Sequence, residues 1–361
     1  MTDRPGFGEA FEGIEQTEIA NQLYKQNEQL RRELELEKQS RNRAIKAIEE
    51  TTRETIAGLV IPPVPKPSKP TKALKDRVPE VPVLHVADVQ LGKLTPDYNS
   101  EIAEERMATY GDKAVKLIEL HRGVSPINEA HIWLLGDIVE GEDIFAGQQW
   151  IIDSSLYTQA MVNGPRILAN LIRQVLGSVE KVTVRGVIGN HGRLGKKGQY
   201  HPETNTDRMA YFVTRTLLQN EIDEGRIDWF HAEPGNSGER GWYTVDHIGN
   251  YSCLLIHGDQ FTGSLGVPWY GIQKMVPKWH VMGNNPKLPF EQFQDVAFGH
   301  WHQPMNWTIN GIGVRCSGSP ESYNDYAMEQ LAGAGRPSQR MMFVDPIGGH
   351  VTAEYPEVWL D

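Results

Sequence analysis

Cysteine is nearly absent: Cys253 and Cys316 are the only two in 361 residues. A disulfide framework and a thiolate zinc finger are both excluded, and a reducing, intracellular compartment is the expectation. No window approaches the ~18 consecutive apolar residues that a membrane span requires. The opening residues, MTDRPGFGEAFEG, lack the basic-then-apolar order of a secretory signal, so a cytoplasmic protein is expected. Basic charge is not in excess either. Lys and Arg number 36 against 47 Asp and Glu, a formal net charge of −11. That balance argues against a protein that grips nucleic acid through a broad basic surface.

What remains is an ordinary globular make-up, 39% hydrophobic and 23% charged, long enough for one large domain or two smaller ones. The charge is unevenly spread: residues 1–60 carry −3, residues 61–78 carry +4, and the rest carry −12. A domain that collects carboxylates around cations would have this balance, and so would one kept soluble by surface charge.

Residues 14–57 hold few glycines and no proline, with abundant Glu, Gln, Lys, Arg, Ala and Leu. This reads as one long helix. A heptad runs through Leu23, Asn27, Leu30 and Leu34, then weakens at Glu37, Arg41, Ala44 and Ile48. Two readings stay open: a coiled coil that makes a homo-oligomer or engages a protein partner, or a solvated helix docked on the body. The next stretch, Ile61 to Pro70, has five prolines in ten residues, which predicts an extended, semi-rigid spacer. The expected organisation is a helical region over 1–60, a Pro- and Lys-rich linker over 61–80 and a compact catalytic domain over 81–361.

From Val81 the pattern changes to short apolar runs, each ending in polar residues. Val83–Ala87 leads to Asp88, Ile132–Leu135 to Gly136-Asp137, and Val182–Ile188 to Gly189-Asn190-His191. Cys253–Ile256 leads to His257, and Val296–Phe298 to Gly299-His300. Such runs read as buried strands, and segments 102–122 and 155–178 have helical spacing between them. The result is β-α-β-α-β at the start of an α/β domain, with no repeat of fixed period. Open α/β sheets place their sites beyond the carboxyl ends of their strands. Asp88, Gln90, Asp137, Asn190, His191, His257, His300 and His302 all fall there. Two carboxylates, two carboxamides and four imidazoles, without sulfur, suit a hard or borderline divalent metal. Eight such groups exceed the needs of a single tetrahedral ion, so two ions sharing a carboxylate is the economical reading.

In this order the motifs Asp88-Val89-Gln90, Gly136-Asp137, Gly189-Asn190-His191-Gly192, His257 and Gly299-His300-Trp301-His302 resemble the calcineurin-like metallophosphoesterase superfamily. The resemblance spans roughly 81–345. It implies a four-layer αββα sandwich with a dinuclear centre at one edge. Position by position it implies that one metal is held by Asp88, Gln90, Asp137 and His302. A second would be held by Asp137, Asn190, His257 and His300, with His191 as the catalytic histidine. Two divalent ions are expected, Mn²⁺ first, with Mg²⁺, Fe²⁺ or Zn²⁺ as alternatives. The chain departs from the family pattern twice. Gln90 stands where a histidine is usual, which loosens the first metal or removes it. Gly192 stands where a carboxylate is usual, so His191 must be oriented from elsewhere, with Asp259 or the neighbourhood of Asp88 as candidates.

The closest look within the superfamily is to SbcD-type nucleases and to phosphoesterases of bacteriophage genomes. The shared features are Gly318-Ser319-Pro320, Tyr323–Ala327, Pro337-Ser338-Gln339 and the strand Met341–Val344. A phage origin would place the protein in a host cytoplasm. The expected activity is therefore hydrolysis of phosphodiesters, DNA first, by a metal-activated hydroxide with His191 as general acid. A small-molecule phosphodiesterase or phosphatase is the alternative enzyme, and a coiled-coil interaction protein with a weak metal site is the alternative of another class. Arg193, Lys196 and Lys197 form a glycine-spaced basic loop suited to phosphates flanking the scissile one. Trp269, Tyr270, Trp279 and Trp301 are candidates for base stacking, or for core.

If the loop binds DNA, neutralising Arg193, Lys196 and Lys197 together flattens the salt dependence of binding by roughly 0.7–0.9 log units per lost contact. Hydrolysis of a small diester stays nearly unchanged in the same variant. A DNA-binding titration over a salt series checks this, and an unchanged slope removes the loop from the substrate site.

Overall fold

The structure is a computed structural model that describes residues 7–59, 61–67, 77–195, 199–201, 204–232, 241–263, 266–321 and 336–361. The chain divides into two compact units, Met1–Val60 and Ile61–Asp361.

In the first unit, α1 (Phe7–Ala57) is a single helix. None of its described side chains is buried, and Leu23, Leu30, Leu34 and Ile48 are each more than half exposed. Pairs one turn apart, such as Gln29 with Glu33 at 2.9 Å, support its surface.

The second unit begins its regular structure with β1 (Val81–Val86), α2 (Ser100–Arg122) and β2 (Glu129–Leu134). Then come α3 (Leu156–Thr158), a π turn over Gln159–Asn163, α4 (Gly164–Leu176) and β3 (Lys181–Gly186). The helices α5 (Thr206–Leu217) and α6 (Gln219–Asp223) precede β4 (Ile227–His231), β5 (Tyr243–Ile248) and β6 (Tyr251–Ile256). The last part is α7 (Trp269–Gly283), β7 (Asp295–Phe298), β8 (Met305–Ile309), β9 (Ile312–Cys316), β10 (Ser338–Asp345) and β11 (His350–Trp359). Local chemistry sets the helix starts: Asn99 caps α2 by accepting the Ile102 N–H at 2.9 Å.

The strands make two sheets, one in the order β11-β10-β1-β2-β3-β4 and the other β5-β6-β7-β9-β8. β1 to β4 are mutually parallel, as βαβ crossovers require. The alternation of side chains along each strand then decides the layers. Leu84, Val86, Ile132, Leu134, Val182 and Val184 pack on Met107, Ala114, Leu168 and Ile172 of the helices. Their neighbours Val83, Trp133 and Val187 face Cys253, Leu255 and Ala297 of the second sheet. The far side of that sheet, with Leu254, Ile256, Val296 and Val314, is covered by Ile272, Val276 and Trp279 of α7. Two sheets flanked by helices is thus the architecture, and both inner faces are apolar.

Polar groups also cross between the sheets, as Arg315 on β9 does to Glu354 on β11 at 2.7 Å. Asp246 on β5 is 1% exposed, and its Oδ2 lies 2.6 Å from both Trp133 Nε1 and His131 Nδ1 on β2. Arg185 on β3 reaches its other oxygen at 3.4 Å. Burial alone would push the Asp246 carboxyl up, but His131, Trp133 and Arg185 hold it below its ordinary value.

Residues 61–67 lie on this unit. Arg173 donates to the Pro62 carbonyl, and Arg226 donates to Val64 O at 2.8 Å and to Pro65 O at 3.4 Å. The described part of the expected spacer is therefore held to the body ahead of Val81, because two guanidinium groups satisfy its carbonyls.

Removing the inter-sheet carboxylate by Asp246→Ala leaves buried donors without an acceptor and costs about 3–5 kcal/mol. Urea unfolding should show a lower midpoint with an unchanged slope. Because the folded pKa is lowered, the stabilisation is present above the unfolded value of about 3.9 and is lost as pH falls through the folded one. The wild-type acid limb should accordingly be steeper than that of the variant.

Candidate functional site

The ends of β1, β2, β3, β6 and β7 converge, and the backbone there is unusual. Six described non-glycine residues have positive φ, and five of them are Asp88, Gln90, Asp137, His300 and His302, at 45–70°. A β-carbon in this region costs roughly 1–2 kcal/mol per residue. Strain held at five candidate ligands is a mark of function rather than of folding. The close approach of the turns depends on glycine at two points. A Cβ on Gly189 would sit 2.1 Å from Asp137 Oδ1, and one on Gly299 would sit 2.5 Å from Asp88 Oδ2.

Asp137, Asn190, His257 and His300 form a compact cluster. His257 Nδ1 lies 2.8 Å from the Leu135 carbonyl and donates to it. Its Nε2 faces Asp137 Oδ2 at 3.0 Å, Asn190 Oδ1 at 3.0 Å and His300 Nδ1 at 3.2 Å. These are lone-pair atoms brought together with His257 fully buried and Asp137 1% exposed. Lone pairs so close require a cation among them, a proton or a metal. Burial would lower the pKa of His257, yet the Asp137 carboxylate carries it up to about 10. Burial and the charge of His257 push its neighbour His300 down to about 3. Asp137 itself is held far below the usual carboxylate range: burial raises it, and His257 and His191 more than reverse that. Asp137, His257 and His300 can also hold one metal ion together, with ligand atoms all within 4.8 Å of one another. The mixed N and O donors, with the Leu135 carbonyl fixing the His257 tautomer, fit a divalent metal.

Around Asp88 the arrangement differs. Both Asp88 oxygens accept the His300 backbone N–H, at 2.8 and 2.9 Å, and burial pushes its carboxyl up to about 6. Gln90 Nε2 lies 3.0 Å from His302 Nε2, and Gln90 Oε1 accepts from Lys93 Nζ at 3.1 Å. Lys93 Nζ also pairs with Glu321 Oε1 at 2.7 Å, and Glu321 Oε2 lies 3.1 Å from His302 Nδ1. The carboxamide oxygen expected to meet a metal is turned to an ammonium group instead.

His191 is oriented by Asp137 and Glu140. Its backbone N–H donates to Asp137 Oδ1 at 2.7 Å. Its ring Nδ1 donates to the Glu140 carbonyl at 2.9 Å, with Glu140 Oε2 3.4 Å away. Burial would lower the His191 pKa, but Asp137 and Glu140 carry it up to about 9. Glu140 thus fills the role for which Asp259 and the surroundings of Asp88 were the candidates. It lies three residues past Asp137 in sequence and reaches His191 only through the fold.

A second unforeseen residue is Asp207. Buried in the first turn of α5, it accepts from the backbone N–H groups of Asp137 at 2.9 Å, Ile138 at 2.9 Å, Val139 at 3.3 Å and Gly189 at 2.8 Å. Burial and the Asp137 charge push its carboxyl up to about 6 against those hydrogen bonds. Asn205 caps the same helix and donates to Gly189 O at 3.0 Å. Asn205-Thr206-Asp207 ahead of an amphipathic run was the visible signal, an N-cap that here also holds the site.

Of the basic loop, Arg193 is half-buried and donates to Gly195 O at 3.3 Å; Lys196 and Lys197 lie outside the described residues. Tyr323–Ala327 lie outside them as well. Trp279 is core and Trp301 half-buried, whereas Trp269 and Tyr270 are exposed.

No family model matches the chain, and no curated protein matches it. Several solved structures do. One is a conserved uncharacterised protein of Streptococcus pneumoniae, described as a predicted phosphoesterase, at 13% identity over 74% of this chain and 84% of that one, TM-score 0.30. Another is Vps29 of Entamoeba histolytica, in a single-mutant form, at 12% identity over 74% and 87%, TM-score 0.32. A third is an archaeal phosphodiesterase at 8% identity over 76% and 99%, TM-score 0.31. Likeness this slight leaves the chemistry to the site itself.

Asp207→Ala frees the turns that carry Asp137 and Asn190 without removing any donor of the cluster. Divalent-metal affinity should fall about 10–100-fold, the usual effect of losing an outer-shell carboxylate. Calorimetric titration with Mn²⁺ measures it; an unchanged affinity would show that Asp207 serves the helix cap alone.

Proposed function

We propose that this protein is a metal-dependent phosphoric ester hydrolase that cleaves phosphodiesters, with DNA as the leading substrate. The observation that carries the reading is the set of four converging donors, Asp137, Asn190, His257 and His300, on strained turns beside an oriented His191. When bound there, a divalent ion supplies Lewis acidity, activating water near neutral pH and neutralising charge on phosphoryl oxygens.

The chain's own groups do the rest. Asp207 holds the two turns in register, so the donors need little reorganisation when a cation enters. Asp137 divides its two oxygens between the His191 backbone and the cluster, which fixes the histidine relative to the donors. His191, its Nδ1 bound to Glu140, keeps Nε2–H as the proton donor for the leaving oxygen.

The case for DNA rests on exposed aromatics. Residues 145–157 run beside the site, with Leu94 N–H donating to Ile151 O at 3.0 Å and a bridge from Lys93 to Ile152. On that stretch Trp150 is 81% exposed and Phe145 and Tyr157 are exposed too, as stacking platforms for bases would be. The net of −12 over residues 79–361 favours the second reading, a small diester.

The full chain loaded with Mn²⁺ should hydrolyse bis-p-nitrophenyl phosphate, lose that activity to a chelator, and degrade labelled DNA. No diester hydrolysis under any divalent metal would refute the enzyme reading, whereas a small diester cleaved and DNA left intact would favour the second one. His191→Ala should retain metal and lose ~10²–10⁴-fold in turnover on an alkyl-ester substrate. The nitrophenyl ester, whose leaving group needs no proton, should suffer less. Equal losses on both would remove His191 from the acid role.

A further inference from the structure

The two halves of the site are chemically unlike. Around Asp137, lone-pair atoms of Asp137, Asn190 and His300 each lie 3.0–3.2 Å from His257 Nε2. On the Gln90 side a positive group of the chain already stands among the acceptors. Lys93, 8% exposed, places Nζ 2.7 Å from Glu321 Oε1 and 3.1 Å from Gln90 Oε1.

Two of the donors expected on that side, Gln90 and His302, are engaged as a result. Gln90 has one oxygen, and the ammonium takes it, which turns the amide nitrogen toward His302 Nε2 at 3.0 Å. Flipping the carboxamide would set its N–H groups against an ammonium, so the orientation follows from charge. An amide nitrogen has no lone pair for a metal. His302 faces Glu321 through Nδ1 at 3.1 Å and therefore meets the amide N–H with the lone pair of Nε2. Asp88 shares the single His300 backbone N–H between its two oxygens and keeps Oδ1 3.7 Å from His302 Nε2. Glu321 is a further buried carboxylate, 4% exposed, beside the charge of Lys93. These residues do not fit a second divalent ion, and they do fit a lysine.

We propose that the chain binds a single divalent ion, at Asp137, Asn190, His257 and His300, and that Lys93 Nζ occupies the place of the other. Held by Gln90 and Glu321, the ammonium supplies one fixed positive charge where a two-ion site would carry two. Its use in neutralising a phosphoryl group rests on the phosphoesterase reading; the ion count does not.

The test is metal stoichiometry of the full chain, by titration calorimetry with Mn²⁺ and by the electron paramagnetic resonance of the loaded protein. The wild type should take up one ion per chain and show the spectrum of an isolated Mn²⁺. Two ions with a coupled spectrum would overturn the proposal while leaving the hydrolase reading intact. No bound ion would end both. Lys93→Met with Gln90→His should restore the second ion and give a coupled spectrum. If that double variant unfolds, Lys93→Arg replaces it. That variant keeps the charge and must still bind a single ion, so a second ion in it counts against the proposal. Gln90→Ala should leave the wild-type affinity within about threefold, because Gln90 serves the lysine, whereas a loss of ten-fold or more would return Gln90 to the metal.

Discussion

A buried carboxylate accepting backbone amides from two different strand ends is the constraint on which the site depends. Asp207 binds the N–H groups of Asp137, Ile138 and Val139 after β2 and of Gly189 after β3. Parallel strands bring their carboxyl ends to one edge but do not fix how the chain leaves them. Without an acceptor there, those amides would be orphaned in a dry interior at about 1–3 kcal/mol each. With Asp207 in place, the exits of β2 and β3 are locked together, and Asp137 and Asn190 come with them. The helix that carries Asp207 is in turn capped by Asn205, which holds Gly189 from the other side.

The cost of the arrangement is visible in the backbone. Five candidate ligands adopt left-handed conformations that glycine takes freely, that Asp and His take uncommonly and that Gln takes more rarely still. Cross-links of high sequence separation hold them there. Asp88 takes the His300 amide, Ser319 Oγ donates to the Asp88 carbonyl at 2.7 Å, and Gln339 brackets Ala87 with bonds of 2.8 and 2.9 Å. The strain is maintained by a rigid frame, which the two apolar sheet interfaces supply.

Much of this was legible in the sequence because it is local. Short β-branched runs ending in Gly-Asp, Gly-Asn-His or Gly-His gave both the strands and the turns beyond them, and the helical segments follow from periodicity. What stayed hidden depends on contacts between distant residues. Glu140 meets His191 across 51 positions, and Glu321 meets Lys93 across 228. A lysine three residues past Gln90 looks like solvated surface until the fold buries it. The strands β4 and β5 were not read, since in β5 Asp246 interrupts the apolar pattern for a reason that lies in the opposite sheet.

The bonds from Arg173 and Arg226 to the carbonyls of Pro62, Val64 and Pro65 bear on where this chain can be cut. Proline carries no amide hydrogen, so a proline-rich stretch offers its carbonyls to whatever donors lie alongside, and here two guanidinium groups take them. A fragment beginning at Val81 would strip Arg226, 8% exposed, of two of its acceptors and leave Leu176 O, at 3.1 Å, as the remaining carbonyl partner. One beginning at Ile61 keeps them all. The border of the second unit therefore lies ahead of the prolines, and limited proteolysis should respect it.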